Sequence, residues 1–349
     1  MKRNISEINV ARAIAIAAVL LIHVTASPRA DVPWGSLSAP VYLIVNQLSM
    51  FAVPVFLFIS GLVLFYRYHD DWSWKQALVF YRKRIAYIVL PFVLWSVLYR
   101  LFTPLLHHQL PSFEPREFFW SLVWGKSYYH LYFMTIIIQF YLVFPFLVAL
   151  VRKWRMRPYQ LTLFGIVVHA AFYYVHHWVH PFDHKAALML NYFTVFCVGG
   201  AIGMRYNAFT ARSRQLWWTF ALAASIGFLY IILLLAAKDG MRYPLSVYDI
   251  LYYGYAIMVG ISLLWVGKLL CERVTWITSS ILQLGAASFG IYLVHPAVLT
   301  VCRSIYHPLP QSPFYSLYNL MLFFALLACS WLIVRLTKPM KFSWVIWGK

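Results

Sequence analysis

His23 follows Arg12 by eleven residues inside one apolar run, Val10 to Thr25. A neutral imidazole exchanges protons near pH 7, so His23 is a candidate general base. A guanidinium holds anions, so Arg12 is a candidate partner for a negatively charged or thioester-bearing cofactor. On a helix, eleven residues make three turns plus about 20°, which puts both side chains on one face about 16 Å apart along the axis. Ionisable groups inside a membrane span are costly and mark a functional site by default. The alternative is that Arg12 snorkels to lipid headgroups while His23 bonds a neighbouring helix.

Four further constellations carry chemistry. Tyr81-Arg-Lys-Arg-Ile-Ala-Tyr-Ile-Val-Leu-Pro91 places Arg82, Lys83 and Arg84 just before a span. They are either a topology anchor with an amphipathic lead-in or a clamp for the phosphates of a nucleotide-like cofactor. Phe56-Leu-Phe-Ile-Ser-Gly61 sets Ser60 among aromatics, as a close-packing point or as part of a substrate passage. Tyr128-Tyr-His-Leu-Tyr-Phe133 supplies His130 and Tyr132 as an interfacial aromatic belt or a sugar-stacking surface. His295, before Pro296, is a structural histidine or a substrate contact. No HExxH or Cys/His ligand spacing occurs, so no metal site is expected. Cys197, Cys271, Cys302 and Cys329 form no CxxC pair and read as small buried residues.

These residues need long apolar elements to position them, and the composition supplies little else. Of the 349 residues, 62% are hydrophobic and 11% charged, and the mean hydropathy is +0.70. Soluble domains are about 45–50% apolar and about 25% charged, so a soluble chain is excluded. About ten spans of some 20 residues fit, near 8–27, 40–65, 85–106, 128–151, 159–178, 187–204, 215–236, 249–267, 279–302 and 314–336. The expected fold is an all-α polytopic bundle forming one domain over 1–349, without a soluble extracytoplasmic domain. The formal charge of +19 is explained by cations facing the cytoplasm rather than by nucleic-acid binding. With both termini cytoplasmic, Lys2, Arg3, Arg67, Arg82, Lys83, Arg84, Arg152, Arg157, Arg205, Lys268 and Arg335 fall inside, whereas Arg29, Arg100 and Arg303 fall outside. His130, His176, His177, His180 and His184 also fall outside. Arg12 is then near the inner interface and His23 in the outer half. Buried carboxylates, the usual device of ion pumps, are almost absent from the spans.

In this order the motifs resemble the acyltransferase 3 family of membrane acyltransferases. Arg12 to His23 matches its opening Arg/Lys, ten residues, His element. Phe56 to Gly61, Arg82 to Phe92, His130 to Tyr132 and Ser288 to Pro296 match later ones. Asn9 stands where many members have Asp, and Tyr87 where a second Arg is common, which passes that role to Arg82 and Arg84. The resemblance is to stand-alone members, including intercellular adhesion protein C-like proteins. It implies transfer of an acetyl or other short acyl group from cytoplasmic acyl-CoA to a hydroxyl of an extracytoplasmic or lipid-linked sugar, in a bacterial cell membrane. His23 would be the base, Arg12 would orient the donor, and Arg82, Lys83 and Arg84 would hold its phosphates. Ser60, His130, Tyr132 and His295 would contact substrate. Acyl-CoA is then a substrate, with no permanently bound cofactor, and the partners are membrane lipid, the glycan acceptor and glycan-assembly proteins. A covalent acyl-histidine step is left open. The rival readings are a glycan exporter or flippase without acyl transfer, and a sensor or scaffold.

Overall fold

The computed structural model of the chain describes residues 5–106, 108–110, 113–211, 213–272 and 275–348, so Lys2 and Arg3 lie outside it. Helix is the only regular structure among the described residues. The α-helices are α1 (Glu7–Asp31), α2 (Ser38–Ser49), α3 (Ala52–Tyr68), α4 (Trp74–Arg84), α5 (Leu90–Leu106), α6 (Pro115–Val123), α7 (Tyr132–Lys153) and α8 (Pro158–Tyr174). They continue with α9 (Phe193–Met204), α10 (Tyr206–Ala211), α11 (Trp217–Lys238), α12 (Leu245–Glu272), α13 (Trp276–Ile305), α14 (Tyr315–Thr337) and α15 (Ser343–Trp347). The protein is an all-α polytopic membrane bundle.

Each of the ten expected spans coincides with a helical segment, but the lengths differ. Eight helical stretches among the described residues are long and apolar enough to cross a bilayer: α1, the joined α2–α3, the joined α4–α5, α7, α11, α12, α13 and α14. The expected fifth and sixth spans are α8 and the Met189–Met204 segment that ends in α9. The second is short, about 24 Å at 1.5 Å per residue against a hydrocarbon core of about 30 Å. In the first, Gln160 and His169 interrupt the apolar run, and His176 and His177 follow in a π-turn, Val175–Val179. These two helices pack on each other. A Cβ on Gly165 of α8 would stand 2.5 Å from the Cys197 Cβ of α9.

The chain forms two compact units, one of residues Met1–Ile59 with Asn207–Leu336, the other of Ser60–Tyr206 with Thr337–Lys349. In the first, α1 packs against α13, α12 and α2. Its buried side is a run of small and branched residues, Ala11, Ala15, Ile16, Val19 and Leu20. Small residues allow the backbones to approach, as is usual where lipid gives no hydrophobic drive for helix pairing. Gly285 of α13 faces the Asn9 carbonyl so closely that a Cβ there would stand 1.8 Å from the oxygen. Further along, His23 of α1 meets His295 of α13, and Arg303 reaches the His23 and Val24 carbonyls. Both sequences of contacts ascend together, so α1 and α13 run parallel.

In the second unit α3 packs on α9 through Gly61 and Gly203. A Cβ on Gly61 would stand 2.1 Å from the Phe196 carbonyl, and one on Gly203 2.3 Å from the Leu62 carbonyl. Gly61 is therefore a close-packing point, and Ser60 is half-buried beside it. Between α4 and α5 the helix widens into a π-turn, Ile85–Val89. Such turns change the angular phase of the residues beyond them and often occur at functional sites.

Candidate active site

His23 is positioned by proline chemistry as much as by helix geometry. Pro28 lies inside α1. It has no N–H, so the carbonyl of Val24, four residues earlier, loses its helical donor. Within a membrane such a carbonyl needs another partner. Arg303 at the end of α13 supplies it: Nη2 donates to the Val24 carbonyl at 3.2 Å and to that of His23 at 3.3 Å. The same logic operates at Pro54 in α3, which frees the Met50 carbonyl. Tyr252 of α12 donates its hydroxyl there at 3.1 Å.

The His23 ring lies beside that of His295, centroid to centroid 5.2 Å. His295 is fully buried, and its Nδ1 is 3.1 Å from the Ile291 carbonyl. A carbonyl only accepts, so Nδ1 carries the hydrogen and, in the neutral ring, Nε2 is the basic nitrogen. The Tyr292 ring centroid lies 6.1 Å from that of His295.

The opposite flank of α1 is tied to α2 and α11. The Asn46 amide donates to the Ile22 carbonyl and to the Thr25 hydroxyl, each at 3.0 Å. The Asn46 oxygen accepts from Arg29 Nη1 at 3.1 Å and from Gln47 Nε2 at 3.3 Å. Tyr230 of α11 donates to the Gln47 oxygen at 3.1 Å. Asn46 and Gln47 are buried. The turn bearing His23 is thus held on two sides by charged and amide donors, the kind of supporting shell that fixes a catalytic side chain.

Arg12 keeps the predicted spacing because α1 is one continuous helix. It is half-buried, and its Nη1 donates to Asn9 Oδ1 at 3.4 Å. Asn9 therefore takes up the guanidinium one turn away, where the family resemblance often has Asp.

The remaining predicted residues belong to the other unit. His130 is buried in an aromatic cage, 5.2 Å from Tyr99 and 5.9 Å from Tyr128, with those two tyrosines stacked at 4.3 Å. Tyr132 opens α7, and its backbone fits against Gly125, whose φ of +63° favours glycine. The three consecutive cations point in different directions, since neighbouring helical positions lie about 100° apart. Arg82 and Lys83 are exposed, whereas Arg84 is half-buried, its guanidinium 4.4 Å from the Tyr141 ring and 5.0 Å from the Phe80 ring. Arg303, Asn46 and Gln47 were not foreseen. The available signals were an amide pair inside an apolar stretch and a proline that orphans a carbonyl.

A family model described as an acyltransferase domain matches residues 5–335. The chain belongs to this acyltransferase family. The match extends over most of both units and includes every candidate site residue named above. Searches among curated proteins and among solved structures found no match. The protein is accordingly a multi-pass membrane acyltransferase.

Proposed function

We propose that this acyltransferase moves a short acyl group, such as acetyl, from cytoplasmic acyl-CoA to a hydroxyl of an extracytoplasmic or lipid-linked sugar. The observation that carries the reading is the His23–His295 contact, locked on α1 and α13 by Arg303. His23 takes the proton of the acceptor hydroxyl as its oxygen attacks the thioester carbonyl. The new C–O bond forms, the C–S bond breaks, and the thiolate of CoA leaves and is protonated. His295 positions the His23 ring. Arg12 orients the donor, and the exposed Arg82 and Lys83 bind donor phosphates by charge-assisted hydrogen bonds.

The test uses the purified full chain in lipid vesicles with acetyl-CoA and a glycan acceptor. Free thiol and acetylated acceptor should form together, and His23→Ala should abolish both while the protein still inserts. Turnover unchanged by His23→Ala would overturn the mechanism. Glycan movement into the vesicles with no thioester cleavage would replace the reading by an exporter.

A further inference from the structure

The helix α6 is short and capped at both ends. Pro115 opens it at the first position, where a missing N–H costs nothing. Gly125 closes it with a φ of +63°. The Gly125 N–H donates to the Leu122 carbonyl at 3.2 Å, and the Lys126 N–H donates to the Ser121 carbonyl at 2.7 Å, a Schellman pair. With nine residues, such a helix is marginal alone in water and needs surfaces to pack on. One surface is the protein. Phe118, Ser121 and Leu122, spaced by three and four, are half-buried or buried.

The other side of α6 is also apolar, and it is exposed. Phe119, Trp120 and Val123 are 58%, 51% and 37% exposed, and they too recur at a spacing of three and four. Arg116 is exposed on the same side, one turn before Phe119 and Trp120.

Contacts at both ends fix the depth of α6. At its start, Glu117 takes two hydrogen bonds from Arg100 of α5, at 2.7 and 2.9 Å. The neighbouring Tyr99 stacks on Tyr128 at 4.3 Å, just before α7. At its end, Gly125 lies against Tyr132, the first residue of α7, where a Cβ would stand 2.5 Å from the Tyr132 Cα. The 22 residues of α7 make about 33 Å of helix, which just crosses a hydrocarbon core of about 30 Å, so Tyr132 marks one edge of that core. The helix α6 is thus tied at both ends to one bilayer boundary. Leu98 and Leu101, on the same part of α5, are exposed on a membrane-crossing helix, so lipid-facing surface reaches the level of α6.

We propose that α6 is an interfacial helix seated in the leaflet at the start of α7, with phospholipid as its partner. Phe119, Trp120 and Val123 enter between the headgroups and the upper acyl chains, the level that amphipathic helices and aromatic side chains favour. Arg116 lays its stem along the same side and sends its guanidinium to headgroup phosphates. This surface is separate from the acyl-transfer chemistry.

The experiment uses the full chain with its native cysteines replaced, in vesicles of equal phosphatidylcholine and phosphatidylglycerol. Single nitroxides are placed at Glu114→Cys, Phe119→Cys, Trp120→Cys, Leu122→Cys and Val123→Cys. Power saturation compares collisions with oxygen, which concentrates among acyl chains, and with a nickel chelate, which stays in water. The oxygen-to-nickel ratio should be at least about threefold higher at 119, 120 and 123 than at 114, as expected for side chains lowered into the interface. The label at 122 should collide little with either reagent. Phe119→Glu with Trp120→Glu should return the label at 123 to the ratio seen at 114. Nickel-dominated collisions at 119, 120 and 123 would overturn the proposal by placing that side in water. Few collisions with either reagent there, with spin–spin broadening, would overturn it in favour of a second copy. A label at 123 unmoved by the two glutamates would also overturn it. If the double variant does not fold, as judged by size exclusion, the scan without it decides.

Discussion

Replacing His23 with Ala should lower acyl transfer by about 10²–10⁴-fold, the usual contribution of a general base, measured as thiol release at saturating donor. His295→Ala should lower kcat more than it raises KM, because the ring acts on His23 rather than on substrate. Arg303 is testable through its partner. Arg303→Gln removes a charged donor from an orphaned carbonyl, whereas Pro28→Ala restores the N–H that the carbonyl lacked. The unfolding penalty of Arg303→Gln should therefore shrink by about 1 kcal/mol in the Pro28→Ala background, read by a double-mutant cycle. At the surface, Arg100 holds Glu117 by two hydrogen bonds at 2.7 and 2.9 Å. That hydrogen bonding, and then the Arg100 charge, keeps the Glu117 carboxyl below the ordinary carboxylate range. The sign follows: a lowered pKa contributes stability above about pH 5 that is lost as pH falls through the lowered value. Wild type and Glu117→Gln should differ slightly in Tm at neutral pH and converge in acid, a small effect for so exposed a pair.

Among the elements, the α1–α13 contact is the one to break. Gly285→Ala puts a methyl against the Asn9 carbonyl and should cost about 1–3 kcal/mol in reversible unfolding, with activity falling as His23 and His295 separate. Gly61→Ala should show a similar stability loss through the α3–α9 contact. Helix positions were legible in the sequence because ten apolar stretches bounded by cations leave little freedom. The Arg12–His23 register was legible because no break interrupts α1 before Pro28. Arg303 was not: a cation at a span end reads as a loop residue unless the missing N–H of Pro28 is traced to Val24. The separation of Arg84 from Arg82 and Lys83 was also hidden, because it depends on the helix phase and on the aromatic faces of Phe80 and Tyr141.

For the whole molecule, the parallel course of α1 and α13 has a consequence in counting. Two helices that cross a bilayer in the same sense must be separated by an odd number of crossings. Between them lie the long stretches α2–α3, α4–α5, α7, α11 and α12, which is already odd. Parity therefore couples α8 and the short helix ending in α9: both traverse the membrane or neither does. A cysteine placed at Lys185, between them, with the native cysteines replaced, distinguishes the two. Labelling by an impermeant maleimide from outside intact cells means a double traverse, and labelling only after lysis means that residues 158–204 form a re-entrant pair. Either outcome leaves α11 entering from the same side, so a hairpin can deepen or withdraw without inverting the helices that carry His23 and His295.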